Sequence, residues 1–494
     1  MDLSLDFETG KRIQKIDYET PDCHGTRCAG QIVGSGFKCG IGVSFNSKIS
    51  SLRLLVKGVA VAPEVEVAAI TRKNQEIDIY NCSWGPPDDG KIVDGPSKIV
   101  MEAFIDSSLE GRGGKGNIFV FASGNGGRKD DCNLDGYANS LFSLTVGSIG
   151  DMDSWPSYME PCSAQWATLY GSTDKDSMIY TSDLNMKCTD DHGGTSAAAP
   201  LMSGIIALSL SLRPDLTWRD IRYLLVKTCK KPSPIIPERE SSWILNAVGI
   251  EYSRKFGFGK VDAKAFVQAA KDWKSVSPST IRRYKSWICN GDDGYFGVGD
   301  DLAKHIVFDI NLEEYVKYKI NDIINLEQVL IRVNIRHSKR GSINISLTSP
   351  SGTTLPLLSS RPSDTDNSIS GNGNGLNNWT LMSLGFWGED IRGTWSVIVE
   401  TDNNCGNCIG NIFDITISFY GSIDPFIKES NYSFKEMVLE SYFGLIKGEV
   451  FMEMSPKKSS SPTRIHNRIT FSILAFIAIL ALFIIYICLS NIFF

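Results

Sequence analysis

Apolar residues recur along this chain in three rhythms. Up to about residue 275, short β-branched and aromatic runs alternate with stretches of helical spacing, the pattern of a parallel α/β sheet. Ile49 to Leu55, Ile77 to Cys82, Asn117 to Ala122 and Ser143 to Ile149 predict strands, while Pro63 to Asn74 and Pro96 to Leu109 predict helices. Thr195 to Leu212 is apolar enough for a buried helix, which Arg213-Pro214 ends, and Thr217 stands where the next helix needs its N-cap.

From about 280 to 422 the period shortens. Val329 to Ile335, Ser342 to Thr348, Trp395 to Glu400 and Ile412 to Tyr420 are strand-like runs separated by Gly, Asn, Ser and Pro, which predicts an all-β sandwich or jelly roll with a polar loop over 361–378. Residues 423–468 read as a linker. Ile469 to Phe494 is almost wholly apolar and uncharged, longer than the roughly 20 residues a bilayer span requires, and predicts one C-terminal transmembrane helix. Lys457, Lys458, Arg464 and Arg468 precede it, which by the positive-inside rule places that side in the cytosol. The cysteines and sequons point to the opposite orientation.

Composition narrows the class. With 494 residues, 42% hydrophobic and 21% charged, the chain is globular over most of its length and long enough for two or three domains. A formal net charge of −6 argues against nucleic acid as a partner. Twelve cysteines, of which only Cys405 and Cys408 have CxxC spacing in a loop-like setting, imply disulfides in an oxidising compartment rather than a zinc site. The sequons at Asn344, Asn378 and Asn431 agree. Met1 to Asp6 has neither a basic nor an apolar leader, so no signal peptide is read; for an exported protein, that implies a start placed too late.

The candidate chemistry centres on His192-Gly193-Gly194-Thr195-Ser196-Ala197-Ala198-Ala199-Pro200. A serine between glycines and an Ala-rich run can sit at a helix start, but its hydroxyl needs a base and an oxyanion donor. His24, one of five histidines, stands upstream in His24-Gly25-Thr26-Arg27-Cys28-Ala29-Gly30, and a His before a Ser is the order of subtilisin-type triads. Asn125, in Phe121-Ala122-Ser123-Gly124-Asn125-Gly126-Gly127, follows a predicted strand and could donate to the oxyanion. Acidic pairs such as Asp88-Asp89 and Asp130-Asp131 would ordinarily be solvated loop charges.

These segments, with Cys82-Ser83-Trp84-Gly85-Pro86-Pro87-Asp88-Asp89-Gly90 and Asp135-Gly136-Tyr137, resemble the signatures of kexin- and furin-like proprotein convertases. Leu347-Thr348-Ser349-Pro350-Ser351-Gly352-Thr353 and Arg392-Gly393-Thr394-Trp395-Ser396-Val397 resemble the accompanying P domain. The resemblance implies a subtilisin-like catalytic domain over 1–275, a P domain over 280–422, and calcium-dependent cleavage of secretory or surface proproteins after paired basic residues. It implies Asp88 and Asp135 in the pocket for the basic residue before the scissile bond, with Glu66 and Asp94 toward a more distant subsite. It also implies Asp88, Asp130 and Glu160 around Ca²⁺, whose hard-oxygen preference they suit, disulfides Cys39–Cys188 and Cys132–Cys162, and a free thiol at Cys28.

Three departures qualify the resemblance. The family's catalytic aspartate lies in an Asp-Asp-Gly turn before the histidine, and no such turn precedes His24; among Asp2, Asp6, Asp17 and Asp22, none is assigned the role. Loop 34–38 is short and has no carboxylate for the family's other calcium site, and Pro21 replaces an acidic residue near the P2 subsite. The alternatives are a pseudoprotease that binds basic peptides, and an adhesion or display module.

Overall fold

The computed structural model describes residues 3–11, 23–55, 60–173, 178–233, 243–288, 295–297, 305–312, 323–365, 375–423 and 433–444. The residues expected to form a transmembrane helix, 469–494, lie outside them. Within Met1–Ser455 an α/β layer and a β-sandwich form one compact unit.

The α/β layer is organised by four parallel strands hydrogen-bonded in chain order. Two short strands that pair in parallel, β1 (Leu5–Asp6) and β2 (Leu52–Arg53), precede them. The four are β3 (Ile79–Cys82), β4 (Ile118–Ala122), β5 (Ser143–Ile149) and β6 (Ala167–Tyr170). Every residue of β4 and β5 is buried, as a sheet covered on both faces requires. Helix α1 (His24–Val33) leads to α2 (Pro63–Ile70) and α3 (Lys98–Gly114), whose Phe104 meets Phe119 of β4 edge-on at 4.8 Å. Helix α4 (Thr195–Leu212) packs against β3 to β6 and is buried around most of its circumference, which explains its unbroken apolar run. Among the described residues it alone is long and apolar enough to cross a membrane, and here it is a core helix. Thr217 caps α5 (Trp218–Thr228) through a reciprocal capping box with Asp220.

Several expected boundaries move. Only Leu52 and Arg53 of the 49–55 run pair as a strand. Helix α2 stops at Ile70 because the chain turns through Lys73, whose φ is 53°, instead of continuing to Asn74. Helix α3 runs past Leu109, losing helical geometry only at Gly111–Gly113. Polar residues after 361 are partly structured, and Gly375–Ser383 is a strand, so the expected 361–378 loop is shorter than its composition suggests.

The sandwich has two antiparallel sheets. One joins Ser279–Ile288, Ile409–Ile423, Ile323–His337 and Gly375–Ser383, with Tyr295–Gly297 beside Ile409–Ile423; the other joins His305–Asn311, Thr394–Thr401, Ile343–Thr348 and Thr354–Leu358. Trp395 from one sheet meets Phe419 from the other at 5.0 Å, placing the core between them. Beyond the sandwich, the stretch expected to be a linker contains the helix Phe434–Phe443. Ser433 caps it, Lys435 pairs with Asp106 of α3 at 2.7 Å, and Tyr442 accepts a 2.6 Å bond from the Leu141 amide.

The seam between layer and sandwich is both apolar and specific. Trp387 of the sandwich contacts Trp166, Tyr223 and Phe258. Fully buried Asn133 donates to Ser163 Oγ at 2.6 Å, the Leu357 carbonyl at 2.7 Å and the Met382 carbonyl at 3.2 Å, and accepts from the Met382 amide at 2.9 Å. Asn133→Ala would take a partner from the Leu357 carbonyl and the Met382 amide in the buried seam, while the Met382 carbonyl keeps its 2.6 Å bond from Ser163 Oγ, so it should lower stability by about 2–4 kcal/mol in urea unfolding. A loss below about 0.5 kcal/mol would show that apolar contacts alone hold the seam.

Candidate active site

Ser196 lies in the first turn of α4, half-buried. The turn before it requires glycine: Gly194 has φ +72°, and a Cβ there would approach Asn125 Oδ1 to 2.8 Å. That oxygen accepts from the Thr195 amide at 2.9 Å and Thr195 Oγ1 at 3.1 Å, which fixes the Asn125 side chain beside the serine. Four residues beyond Ser196, Pro200 has no N–H for the Ser196 carbonyl. That carbonyl instead accepts from Ser83 Oγ at 3.1 Å and from the Cys28 thiol at 3.6 Å.

The thiol belongs to α1, which packs against α4. Cys28 and Gln31 are its buried residues, and Gln31 Nε2 donates to the Ala197 carbonyl at 3.0 Å. One turn before Cys28, on the same face, stands exposed His24. Thus base and nucleophile candidates occupy the first turns of two helices joined by direct contacts. His192 Nε2 lies 3.8 Å from Cys28 Sγ, and its ring meets that of His24 edge-on at 5.8 Å. Burial, then the charges of His24 and Arg27, pulls the His192 pKa down to about 4. Burial pushes the Cys28 thiol up to about 11, so it stays protonated. Cys39–Cys188, Cys132–Cys162 and Cys405–Cys408 are disulfides, whereas Cys28 is free.

Asp88, Asp130, Asp135 and Glu160 line one cleft next to Asn125. The Asp88 carboxylate accepts from the Asn125 amide at 2.8 Å, and Glu160 accepts from the Gly126 amide at 2.8 Å. Desolvation raises Asp88, moves Asp135 up to about 7 and raises Glu160 well above the ordinary range; neighbouring carboxylates add to each effect. Two Tyr137 and Ala138 amide bonds, at 2.7 and 3.1 Å, work against the Asp135 shift. Gly124 and Gly126 let the backbone reach these groups: Cβ atoms there would come within 2.3 Å of Glu160 Oε1 and 2.5 Å of Asp130 Cβ.

Glu66 accepts from Tyr137 Oη at 2.7 Å, and burial followed by the nearby Asp94 charge raises its pKa despite that bond. The backbone of Asp94 bridges to that of Asp135. All four specificity candidates therefore flank the 134–137 turn or the mouth of the cleft. The proposed calcium set has suitable donors, hard carboxylate oxygens that repel one another. Among the described residues, however, no three His, Cys, Asp or Glu side chains are gathered into a ready coordination sphere. Asp6 accepts from Arg53 at 3.0 Å and from the Glu8 and Thr9 amides, while Asp2, Asp17 and Asp22 lie outside the described residues. Sequence reasoning missed His192, Ser83 and Arg361, which touches Asp130 from the sandwich; only the position of His192 beside the glycine–serine motif could have signalled any of them.

Residues 4–259 match the subtilase family, and residues 326–416 match the proprotein convertase P-domain. The chain belongs to the subtilase family. It is 41% identical over 407 residues to "Endoprotease bli-4" of Caenorhabditis elegans, covering 81% of this chain and 41% of that protein. It is 39% identical over 403 residues to furin of Homo sapiens, 81% of this chain and 48% of that one, and 38% identical over 434 residues to the "Dibasic-processing endoprotease" of Schizosaccharomyces pombe, 85% and 58%. The chain thus spans about half or less of the length of most of these curated relatives. A serine protease of Aeromonas sobria shares the fold, with TM-score 0.71, 20% identity and 85% of each chain covered.

In this subtilase, His192 makes stability depend on pH. Its folded pKa of about 4 lies below the ordinary 6.5, so the stabilisation is complete above pH 6.5 and is lost as pH falls toward 4. Melting temperatures measured from pH 7.5 to about 4 should fall less steeply in His192→Gln than in the unsubstituted protein. Equal slopes would place the acid sensitivity elsewhere.

Proposed function

We propose that this chain is a proprotein-processing serine endopeptidase that cleaves after basic, mainly paired basic, residues. The observation that carries the reading is the joining of the Ser196 turn to the acidic cleft through one residue: the Asn125 side-chain oxygen accepts from the Thr195 amide, and the Asn125 backbone amide donates to the Asp88 carboxylate. His24 takes the Ser196 proton as the hydroxyl attacks the scissile carbonyl, and later returns a proton to the leaving amine. Asn125 Nδ2 and the Ser196 amide donate to the oxyanion. Asp88 and Asp135 hold the guanidinium or ammonium of the residue before the cut, replacing carboxylate repulsion with attraction. Glu66 and Asp94 favour a further basic residue upstream.

Asp88, Asp130 and Glu160 would hold Ca²⁺, which would neutralise the cleft's charge and fix its walls. Residues 469–494 have the length and apolarity to anchor the chain in a membrane, and the disulfides fit a lumenal or extracellular active domain. Proproteins of the secretory pathway or cell surface are the partners this suggests. A second reading, binding of basic peptides without cleavage, rests on the triad acid: no Asp-Asp-Gly turn precedes His24 in this sequence, and the oxygens of Asp6 are occupied by Arg53 and its own turn.

The full chain should cleave a fluorogenic Arg-Arg peptide and lose that activity on calcium chelation. Ser196→Ala should abolish cleavage, and Asn125→Ala should lower kcat about 10²- to 10³-fold. Asp135→Asn should reduce kcat/KM for peptides with Arg before the cut. Cleavage surviving Ser196→Ala means the nucleophile is misassigned; tight peptide binding with no cleavage by the unsubstituted chain favours the second reading.

A further inference from the structure

The cleft's carboxylates belong to the α/β layer, yet a guanidinium of the sandwich supports them from behind. Arg361, only 1% exposed, donates through Nη1 to the Ile92 carbonyl at 2.8 Å and Asp130 Oδ1 at 3.1 Å. Its Nη2 donates to the Lys91 carbonyl at 3.0 Å and Asp364 Oδ2 at 2.6 Å. Asp364 is held in turn by Arg340, at 2.8 and 3.1 Å. The Arg361 amide donates to the Gly341 carbonyl at 2.7 Å, and Gly341 must be glycine because a Cβ there would lie 2.2 Å from the Arg361 carbonyl.

What Arg361 grips is the turn that carries Asp88. That turn is exposed on its outer side and closed on itself, with Asp89 accepting from the Lys91 and Ile92 amides at 2.8 and 3.0 Å. It is tied to the body by the Gly90 amide, which donates to Asp130 Oδ2 at 2.7 Å, and by the Asp88 bond to Asn125. Arg361 binds both the turn's carbonyls and the other oxygen of Asp130. The planar fork of arginine suits this task, and an ammonium could not make the same set of bonds. Without it, crowded carboxylates in a poorly solvated cleft would push the exposed turn outward.

We propose that Arg361 is a positioning residue through which the sandwich sets the geometry of the acidic cleft, and thereby the fit of a substrate's basic side chain before the scissile bond. The inference rests on reading that cleft as the subsite for this side chain. Arg361 does not touch the substrate; it acts through the 88–92 turn and Asp130.

The test uses the full chain at saturating calcium. It compares Arg361→Lys and Arg361→Gln with Lys435→Met, which breaks the ion pair between the helix Phe434–Phe443 and Asp106 of α3. Steady-state cleavage of an Arg-Arg peptide separates KM from kcat, benzamidine titrated against tryptophan fluorescence measures cleft occupancy without chemistry, and calorimetry records the melting temperature. Arg361→Lys should raise KM and the benzamidine Kd at least about tenfold with kcat within about threefold, whereas Lys435→Met should move only the melting temperature. Adding Arg361→Lys to Asp88→Asn should weaken benzamidine binding by less than about threefold beyond Asp88→Asn alone, because both act on one site. A lower melting temperature with unchanged benzamidine Kd and KM would overturn the inference, leaving Arg361 a structural plug. If the unsubstituted chain binds benzamidine without cleaving peptide, the protease reading fails while the benzamidine comparison still decides the role of Arg361; no benzamidine binding at all refutes the subsite and the inference together.

Discussion

Carboxylates crowded where water is scarce repel one another, and the surroundings of the Asp88–Asp130–Asp135–Glu160 cleft answer that repulsion. Backbone amides of Gly90, Gly126, Tyr137 and Ala138 point at the acids, and glycines at 124 and 126 leave room for the approach. Buried arginines arrive from two directions: Arg361 at Asp130, and Arg254 at the neighbouring Asp131. Such a site is built at a cost in isolation and gains when a cation enters. The packing of the sandwich on the α/β layer follows from the same need, since Arg361 and the Ser359 amide, which bonds Asp131, both come from the sandwich.

The start of α4 solves a different problem. A serine at a helix start needs an exposed hydroxyl and an immobile backbone. Pro200 removes the bond that would occupy the Ser196 carbonyl, and Ser83 and Cys28 take that carbonyl from β3's exit and from α1. The result ties the first turn of α4 to the helix bearing His24, so that Ser196 and His24 share a frame that does not depend on their own side chains meeting.

Local chemistry was legible in the sequence, and long-range partnership was not. Buried strands such as Ser143–Ile149, the Thr217 cap, the glycine–serine turn and the four cleft acids each carry their signal within a few residues, or within a resemblance spread over short motifs. Leu52–Arg53 fell short of its predicted strand because pairing depends on a distant partner, Leu5–Asp6. The helix Phe434–Phe443 was hidden in a stretch read as linker, since its stabilising contacts lie on α3 and near Leu141, some 300 residues away. Arg361 looked like one more charge at the edge of a polar loop. Its role exists only once two domains meet, where burial turns an ordinary surface residue type into a structural cation.

The Cys39–Cys188 disulfide joins the segment just beyond α1 to the one just before α4, across a separation of 149 residues. Its consequence is covalent as well as conformational. A single backbone cut anywhere between these cysteines leaves one fragment with His24 and another with Ser196, yet the two stay a single molecule. A nicked chain would therefore run as one species until reduced, with His24 and Ser196 still held on packed helices.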